Sequence, residues 1–335
     1  MRIRKNPQYR PRPLKEAGTL FTFRSLFTIL AALVFLCPSC KPAGQGRTTV
    51  RLAYLQSDLH HLPAFVALER GFYREEGLTV EIAGVFKAGP ELMSGFSSGS
   101  LDAGYVGLAP ALVAAANGTA RIALIAQVNK NGSALVVGKD SPVSRPAELK
   151  GTVIAIPGHA TIQDFLVRRM LADAGIEDNQ VTIITIKPPE MISVLSGSQI
   201  AAFMAWEPYP SLAVIKDAGR VLTYSRDIWP DHPCCVLAVS RAFLEKHPAE
   251  VSALRSAHLK SLAYIENNPA EAVAVGVKYT AMDPAVVALA LKHIQFDQDL
   301  QMSRVMDYAA ALNKLGYTTI TDPQTFLQSL LITSP

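Results

Sequence analysis

The sequence contains few cysteines, and their positions exclude a fold that is held together by disulfides. Only four cysteines occur in 335 residues, and Cys234 and Cys235 are the only two beyond Cys40. Adjacent cysteines can pair with each other only as a strained vicinal disulfide, so they cannot close a longer loop. A hydrophobic core must therefore stabilise the fold, and 49% hydrophobic residues provide ample material for one.

A basic excess is also missing from most of the chain. The formal charge is +4, but residues 1–39 contain seven Lys/Arg and one acidic residue, a net of +6, so the remainder carries 4 − 6 = −2. A chain without a basic surface has no electrostatic footprint for nucleic acid, and we expect no nucleic-acid partner. The sequence also lacks a Walker-type phosphate loop and a series of apolar segments of about 20 residues, which excludes an ATPase subunit and a membrane permease.

The N-terminal segment has the pattern of an export signal. A 12-residue apolar run, Leu26–Cys37, follows the basic stretch and is shorter than the ~20 residues of a membrane span. Ser39 and Cys40 resemble a bacterial lipoprotein cleavage site, although Cys37 stands where that pattern usually has leucine. We expect a lipoprotein signal peptide over 1–39, lipidation at Cys40 and a tether over 40–48, which would anchor the protein to the membrane in the periplasm or at the cell surface. An uncleaved anchor or a plain secretory signal is the alternative.

Strand-like and helix-like segments alternate in two successive blocks. The first block begins at Thr49–Leu55, the second begins at Val153–Ile156, and a tail from Arg241 onward has a helical pattern almost throughout. Such alternation predicts an α/β fold with largely parallel sheets. We expect one lobe over 49–137 and 237–335 and a second lobe over 138–236, with crossover strands at Val136–Lys139 and Val236–Ser240.

Four segments resemble the periplasmic solute-binding proteins of nitrate-, sulfonate- and taurine-type ABC importers. Their order and spacing extend over most of residues 50–280; the segments are Pro63–Leu78, Ser97–Gly107, Pro146–Gly151 and Ala205–Tyr209. The resemblance implies a two-lobed, Venus-flytrap (type II periplasmic-binding-protein) fold that holds its ligand between the lobes. The same fold is similar to thiamine-precursor-binding proteins and to a pyrimidine synthase of thiamine biosynthesis.

The resemblance implies a monomeric binding protein, without catalysis or a cofactor, that captures a small organic ligand such as a sulfonate or a thiamine precursor. Its partners would be that ligand and the permease and ATPase of an ABC importer. A pyrimidine-synthase-like enzyme of the same fold is one alternative, although Cys234-Cys235 matches only part of the cysteine-rich iron-binding run of that enzyme. The synthase is intracellular, however, whereas this chain carries an export signal.

Several loops follow predicted strands and precede helices, which is where open α/β sheets bind ligands and where helix N-termini offer free N–H groups. Trp206 could present flat apolar surface to an organic ligand, as could Tyr209. Glu207 either faces the ligand or caps the helix that begins beside it. The residues predicted to line one cleft are Ser57, Asp58, His60, His61, Tyr105, Gly107, His159, Ala160, Thr161, Trp206, Glu207, His232 and Cys234.

The histidines among these residues, together with the cysteine pair, leave a metal-binding alternative open. Imidazole and thiolate suit zinc or copper, so a protein of the same fold that binds a metal or a metal complex is the second alternative. Their spacing matches no zinc motif, and the sequence assigns no particular metal. Lysine and arginine are sparse in these loops, with Lys87 and Lys130 nearest, which argues against a small free oxyanion.

Overall fold

The computed structural model describes residues 48–332, which contain two β-sheets with helices packed against them. The signal sequence, Cys40 and most of the predicted tether lie outside the described residues. The strands are β1 (Thr49–Leu55), β2 (Thr79–Phe86), β3 (Ala103–Gly107), β4 (Ile122–Asn131), β5 (Ser133–Gly138), β6 (Val153–Ile156), β7 (Thr182–Thr185), β8 (Ala202–Trp206), β9 (Gly219–Tyr224), β10 (Pro233–Ser240) and β11 (Ile294–Phe296).

Each sheet mixes parallel and antiparallel strands. The six-stranded sheet has the order β11-β4-β10-β3-β1-β2, with β1 parallel to β2 and β3, and with β10 antiparallel to β3 and β4. The five-stranded sheet has the order β7-β6-β8-β5-β9, with β6 parallel to β7 and β8. The central strands β3, β4 and β8 are buried along their whole length, as expected for strands covered on both faces.

Helices connect most of the strands and form the C-terminal part. The first, α1, has Pro63 in its opening turn and ends at Gly71, whose φ of +77° only glycine adopts without strain. The helices are α1 (Leu62–Arg70), α2 (Phe72–Glu75), α3 (Gly89–Ser97), α4 (Leu108–Ala116), α5 (Ile162–Asp173), α6 (Pro188–Ser196), α7 (Tyr209–Ile215), α8 (Ser225–Ile228), α9 (Arg241–Lys246), α10 (Pro248–Asn267), α11 (Pro269–Thr280), α12 (Pro284–Leu291), α13 (Met302–Lys314) and α14 (Pro323–Leu330).

The described helices give little sign of a membrane span. None of them alone is long and apolar enough to cross a bilayer. Only α11 and α12 together reach that length and composition, and they are bent by 118° relative to each other.

The chain passes between the sheets at positions that differ from the predicted ones. β5 pairs with β8 and β9, so the chain leaves the six-stranded sheet at Gly132 rather than after Val137. It returns between Ile228 and Pro233, because β10 pairs throughout with strands of the first sheet. The two predicted crossover segments are therefore parts of strands that have already entered a sheet. The first crossing coincides with the polar stretch Asn129–Ser133, which contains the turn signal Asn131-Gly132.

The C-terminal helices pack against both sheets rather than against the first one alone. Helices α10 and α11 pack on α1, as a tail belonging to the first lobe would. Helix α12, however, packs on α7, and the Tyr308 ring of α13 lies 4.8 Å from the Phe165 ring and 5.0 Å from the Trp229 ring. The tail thus joins the two predicted lobes.

One buried histidine in α10 predicts a loss of stability in acid. His258 is fully buried, its Nε2 lies 2.9 Å from the Gln127 carbonyl oxygen, and its Nδ1 lies 3.2 Å from the Tyr105 hydroxyl. Burial lowers the pKa of His258 from 6.5 to about 4. The unfolded chain therefore binds more protons than the folded one in this range, so stability is lost as the pH falls from 6.5 toward 4. We expect a loss of about 2 to 3 kcal/mol between pH 7.5 and pH 4.5 from this group.

Urea unfolding of wild type and His258→Gln at both pH values measures this contribution. The variant should be less stable at pH 7.5 but should lose less stability on acidification. The matched control, His247→Gln, replaces a partly exposed histidine and should retain the wild-type pH dependence. Equal pH dependence in wild type and His258→Gln would show that His258 does not carry the effect.

Candidate functional site

A cavity of about 20 Å³ lies where the two sheets face each other. On the side of the six-stranded sheet, the cavity is lined by the end of β1 and the loop after it, the first turns of α3 and α4, and the start of β10. From the five-stranded side it is reached by the first turn of α5 and the end of β8. The lining residues are Leu55, Asp58, His60, Gly89, Gly107, Pro110, Thr161, Ile162, Gln163, Trp206, Cys234 and Cys235.

This position is the one at which open α/β sheets bind ligands, because the parallel strands β1, β3, β6 and β8 point their carboxyl ends toward it. A larger groove of about 690 Å³ is lined by Gly138–Pro142 and Ser198–Ala201, among others. It lies at the opposite ends of β6 and β8, away from the helix N-termini. The smaller cavity is therefore the candidate site.

A cluster of four polar side chains dominates the first-sheet side of the cavity. Asp58, His60, Cys234 and Cys235 are each at most 3% exposed. The Nδ1 atom of His60 lies 3.5 Å from the Cys234 sulfur, 3.7 Å from the Cys235 sulfur and 3.4 Å from a carboxylate oxygen of Asp58, and the two sulfurs are 3.9 Å apart. One imidazole nitrogen thus faces two thiols and a carboxylate.

Two adjacent residues of a regular strand point to opposite faces, yet both cysteines reach this cluster. The register of β10 against β4 is irregular on both sides of Cys235, which is the signature of a bulge. The side-chain oxygen of Asn129 also accepts the Cys235 N–H at 3.2 Å. The bulge brings both sulfurs to one side.

The second ring nitrogen of His60 contacts the backbone at Gly132, where the chain crosses from one sheet to the other. The Nε2 atom lies 2.7 Å from the Gly132 carbonyl oxygen, and the His60 N–H donates to Asp58 at 2.9 Å. A ring nitrogen that donates to a carbonyl leaves the other nitrogen facing the cavity. The backbone therefore fixes the orientation of His60.

Burial and mutual charge shift the pKa values of the whole cluster. Burial raises the pKa of Asp58 to about 7 despite the opposing charge of His60. Burial would lower the pKa of His60, but the charges of Cys234 and Asp58 outweigh it and raise it. Burial would likewise raise the pKa of Cys234, but the Cys235 thiol and the charge of His60 hold it well below its ordinary value. The neighbouring charges thus favour ionisation of Cys234, whereas burial raises the pKa of Cys235.

The structure places only part of the predicted ligand-binding set at the cavity. Asp58, His60, Gly107, Thr161, Trp206 and Cys234 line it; Ser57, His61, Tyr105, His159, Ala160, Glu207 and His232 do not. Of the aromatic residues expected to offer surface to an organic ligand, only Trp206 reaches it. Tyr209 packs edge-on against Trp206, with ring centroids 6.2 Å apart.

Glu207 and Tyr105 make hydrogen bonds within the protein and do not line the cavity. The buried carboxylate of Glu207 accepts the Ser211 N–H at 3.1 Å, so it caps the first turn of α7, and burial raises its pKa to about 7. Tyr105 alternates to the core side of β3, where its hydroxyl lies 3.4 Å from Tyr73 and 3.2 Å from His258.

Among the predicted histidines, only His60 lines the cavity. His61 accepts the Leu55 N–H through Nδ1 at 3.1 Å behind the cluster, and burial lowers its pKa well below the ordinary value. His232 stacks on the Trp229 ring, with centroids 5.9 Å apart. The side chain of His159 is 55% exposed on the loop before α5, with Nδ1 3.8 Å from Asp164.

Ser57 and Ala160 stand at backbone turns beside the cavity. Both have positive φ angles, 51° and 57°, and neither residue lines the cavity. The Ser57 hydroxyl lies 3.5 Å from the Thr280 carbonyl oxygen, and the Ala160 N–H donates to the Asp164 carboxylate at 3.0 Å.

Sequence reasoning missed Leu55, Gly89, Pro110, Ile162, Gln163 and Cys235 as lining residues. Gly89 and Pro110 stand in the first turns of helices that follow strands, which is the same signal that identified Thr161. Cys235 had no such signal, because strand alternation points it away from Cys234 and the bulge is invisible in the sequence. Of the described lining residues none is lysine or arginine, and Lys130 pairs instead with Asp297.

Comparison with known proteins agrees with the architecture. Residues 43–277 match the model of the NMT1-like family. A taurine-binding periplasmic protein of Escherichia coli (strain K12) is 32% identical over 245 residues, which are 72% of this chain and 72% of that protein.

Among solved structures, the alkanesulfonate-binding protein SsuA from Xanthomonas axonopodis pv. citri bound to MOPS superposes with a TM-score of 0.72 (20% identity, 85% of this chain, 98% of that one). The periplasmic nitrate-binding protein NrtA from Synechocystis PCC 6803 superposes with a TM-score of 0.73 (18% identity, 85% and 86%). The predicted two-lobed periplasmic-binding-protein fold is confirmed.

Proposed function

The chain belongs to the NMT1-like family, and on that premise we propose that it captures a small solute in the cavity between its sheets and delivers it to the permease and ATPase of an ABC importer. Its relative from Escherichia coli is a taurine-binding periplasmic protein, so a solute-binding role fits the family. The reported relatives are binding proteins, and we propose the same role, as a monomer without catalysis, for this chain.

One observation carries this proposal: the cavity is lined from both sheets at their strand ends. A solute in it touches Asp58 and His60 on one side and Thr161 and Gln163 on the other. It therefore binds the closed arrangement of the lobes more tightly than an open one, which is the differential affinity that closure requires.

Contacts outside the cavity also join the two sides in this arrangement. Lys187, just before α6, pairs with Glu91 of α3, and the Tyr317 hydroxyl donates to Asp164 of α5. The Lys187–Glu91 pair is partly exposed, and such ion pairs contribute only about 0 to 1 kcal/mol, which is compatible with reversible opening.

Native mass spectrometry of the full chain isolated from its own cell envelope tests solute capture. Wild type should carry a bound solute at one per chain. Gly107→Val should lose it, because a Cβ there lies 3.3 Å from Pro110 and 3.5 Å from Ile162 and the larger side chain fills the cavity. Gly138→Val is the matched control, since nothing lies within 4 Å of a Cβ at that position. Equal retention in both variants would place the solute elsewhere and contradict the proposal.

We propose further that the protein lies in the periplasm and is anchored to the membrane by lipid at Cys40. The apolar run Leu26–Cys37 and the Ser39-Cys40 pair support this anchor. Metabolic labelling with palmitate should mark wild type, and labelling should be lost in Cys40→Ser together with sedimentation in the membrane fraction. Cys37→Ser should keep both properties. Labelling of the Cys40→Ser protein at the wild-type level would refute the anchor.

A further inference from the structure

We propose that the solute of this cavity is a single thiophilic metal cation, Zn²⁺ or Cu⁺, held by His60, Cys234 and Cys235 with Asp58 beside them. This inference rests on the proposed function, because it names the class of solute that the same site would capture. It differs from the organic ligand that the sequence favours.

The spacing of the donor atoms fits one metal ion. Zn–S bonds of about 2.3 Å and Zn–N bonds of about 2.1 Å in a tetrahedron place two sulfurs about 3.8 Å apart and a nitrogen about 3.6 Å from each sulfur. The two cysteine sulfurs are 3.9 Å apart, and the His60 Nδ1 atom lies 3.5 Å and 3.7 Å from them. The three donors already form one face of a metal polyhedron.

A further donor stands next to this face. A carboxylate oxygen of Asp58 lies 3.4 Å from the same His60 nitrogen. Asp58, His61 and Cys235 also form a second set of donors within 4.8 Å of one another, so Cys235 belongs to both sets. Asp58 therefore stands beside the three donors, although its own set shares only Cys235 with theirs.

The groups around the donors orient them as metal ligands require. The Gly132 carbonyl oxygen lies 2.7 Å from Nε2 of His60, which places the proton on that nitrogen and directs Nδ1 toward the sulfurs. The bulge in β10 turns two successive cysteines to one side of the strand.

The size and charge of the cavity favour an ion over an organic anion. A volume of about 20 Å³ accommodates one water-sized body, whereas pockets for organic ligands are typically ~300–1,000 Å³. Within the described lining no lysine or arginine is available to pair with a sulfonate or a nitrate. The donors are thiols and imidazole, which bind zinc and copper in preference to magnesium or calcium.

The cluster is also placed where a transported ion, rather than a structural one, would be held. Its donors belong to the first-sheet side, and Thr161, Gln163 and Trp206 of the second-sheet side cover it. Separation of the two sides would expose the sulfurs to solvent. Loading and release would thus follow opening and closure of the cleft.

Competition titration of the full chain, first treated with chelator under reducing conditions, tests the site. Zn²⁺ is titrated against a chromophoric chelator and Cu⁺ against a copper(I)-specific one, with Mg²⁺ and Ca²⁺ as hard-ion controls. We expect one equivalent of Zn²⁺ or Cu⁺ to bind with a submicromolar Kd, and the hard ions not to bind. Cys234→Ser and His60→Gln should each weaken binding at least 100-fold, whereas His247→Gln at the surface should leave it unchanged.

Cobalt substitution keeps the proposal testable if those variants do not fold. Co²⁺ bound to the wild-type chain should show the near-ultraviolet thiolate-to-cobalt charge-transfer band and the intense visible bands of a four-coordinate site. A Co²⁺ spectrum without thiolate bands, or Kd values above about 10 µM for both Zn²⁺ and Cu⁺, would overturn the assignment.

The outcomes separate this inference from the proposed function. If the protein binds no metal but carries an organic solute that is lost in Gly107→Val, solute capture is supported and the metal assignment is rejected. A second outcome would support the metal site and reject capture for import. In that case the chain binds metal tightly, the metal does not exchange, and the Gly107→Val variant keeps its native bound mass.

Discussion

Replacing Gly132 with alanine should lower the free energy of unfolding by about 3 to 4 kcal/mol. Gly132 has a φ of +88°, and an added Cβ would lie 2.3 Å from the Nε2 atom of His60, 2.9 Å from its Cδ2 and 3.0 Å from Ile294. The His60 ring is buried and cannot move aside without losing its hydrogen bond to the Gly132 carbonyl. The substitution should therefore both destabilise the fold and displace His60 from the cavity.

Substitutions at two other glycines distinguish backbone strain from the steric clash with His60 as causes of this loss, measured by urea unfolding. Gly118 has a φ of +67° with nothing within 4 Å of an added Cβ, so Gly118→Ala measures backbone strain alone, which we expect to cost about 1 kcal/mol. Gly138 has neither a positive φ nor a close neighbour, and Gly138→Ala should change stability by less than ~0.5 kcal/mol. If Gly132→Ala costs no more than Gly118→Ala, the His60 ring does not pack against Gly132 and the described site geometry is wrong.

Asp164→Ala should have the second-largest effect, a loss of about 3 kcal/mol, because it leaves a partly buried arginine without its main partner. The Asp164 carboxylate is completely buried and accepts the Arg168 Nε–H at 2.9 Å, the Ala160 N–H at 3.0 Å and the Tyr317 hydroxyl. Arg168 retains only Asp178, whose side chain is 54% exposed. Urea unfolding at neutral pH measures the loss.

Two variants serve as references for Asp164. Tyr317→Phe removes only the contact from the C-terminal part and should cost about 1 kcal/mol. Asp173→Ala removes an exposed carboxylate 4.0 Å from Arg169 on the same helix and should change stability by less than ~0.5 kcal/mol. A loss for Asp164→Ala as small as that for Asp173→Ala would show that the buried network does not stabilise the fold.

The alternation of strands and helices could be predicted because it depends on local periodicity. β1 and β6 have the predicted bounds, Thr49–Leu55 and Val153–Ile156, and the helix cap at Thr161 occurs where a strand-to-helix turn was expected. β9 and β11 were missed. The tertiary context defines both strands: β9 pairs at the edge of its sheet with β5, and the three residues of β11 pair only with β4.

Apart from Cys234, the predicted residues that line the cavity are those that chain order places at or after strand ends. Asp58, His60, Gly107, Thr161 and Trp206 fulfil this condition and line the cavity. The first crossover could not be located, because the local sequence separates β4 from β5 but does not reveal that β5 pairs with β8 and β9 of the second sheet. The inclusion of Cys235 depends on a bulge, which is a property of the pairing between strands rather than of either sequence.

The role of Glu207 could not be predicted from the sequence for a different reason. A glutamate after a buried strand can either face a ligand or cap the next helix, and the sequence does not distinguish these roles. Its hydrogen bond to the Ser211 N–H makes it a cap. Tyr105 is a second example. Its aromatic ring suits a ligand pocket, but its hydroxyl lies in the core, 3.2 Å from Nδ1 of His258.

The most direct test of the central claim, that a solute is held between the two sheets, is an experimental structure of the chain isolated from its own cell envelope. We expect bound density in the cavity, in contact with His60 on one side and with Thr161 or Gln163 on the other, and a closed arrangement in which Tyr317 still contacts Asp164. Density confined to the groove at Gly138–Pro142, with the cavity between the sheets holding only solvent, would contradict it.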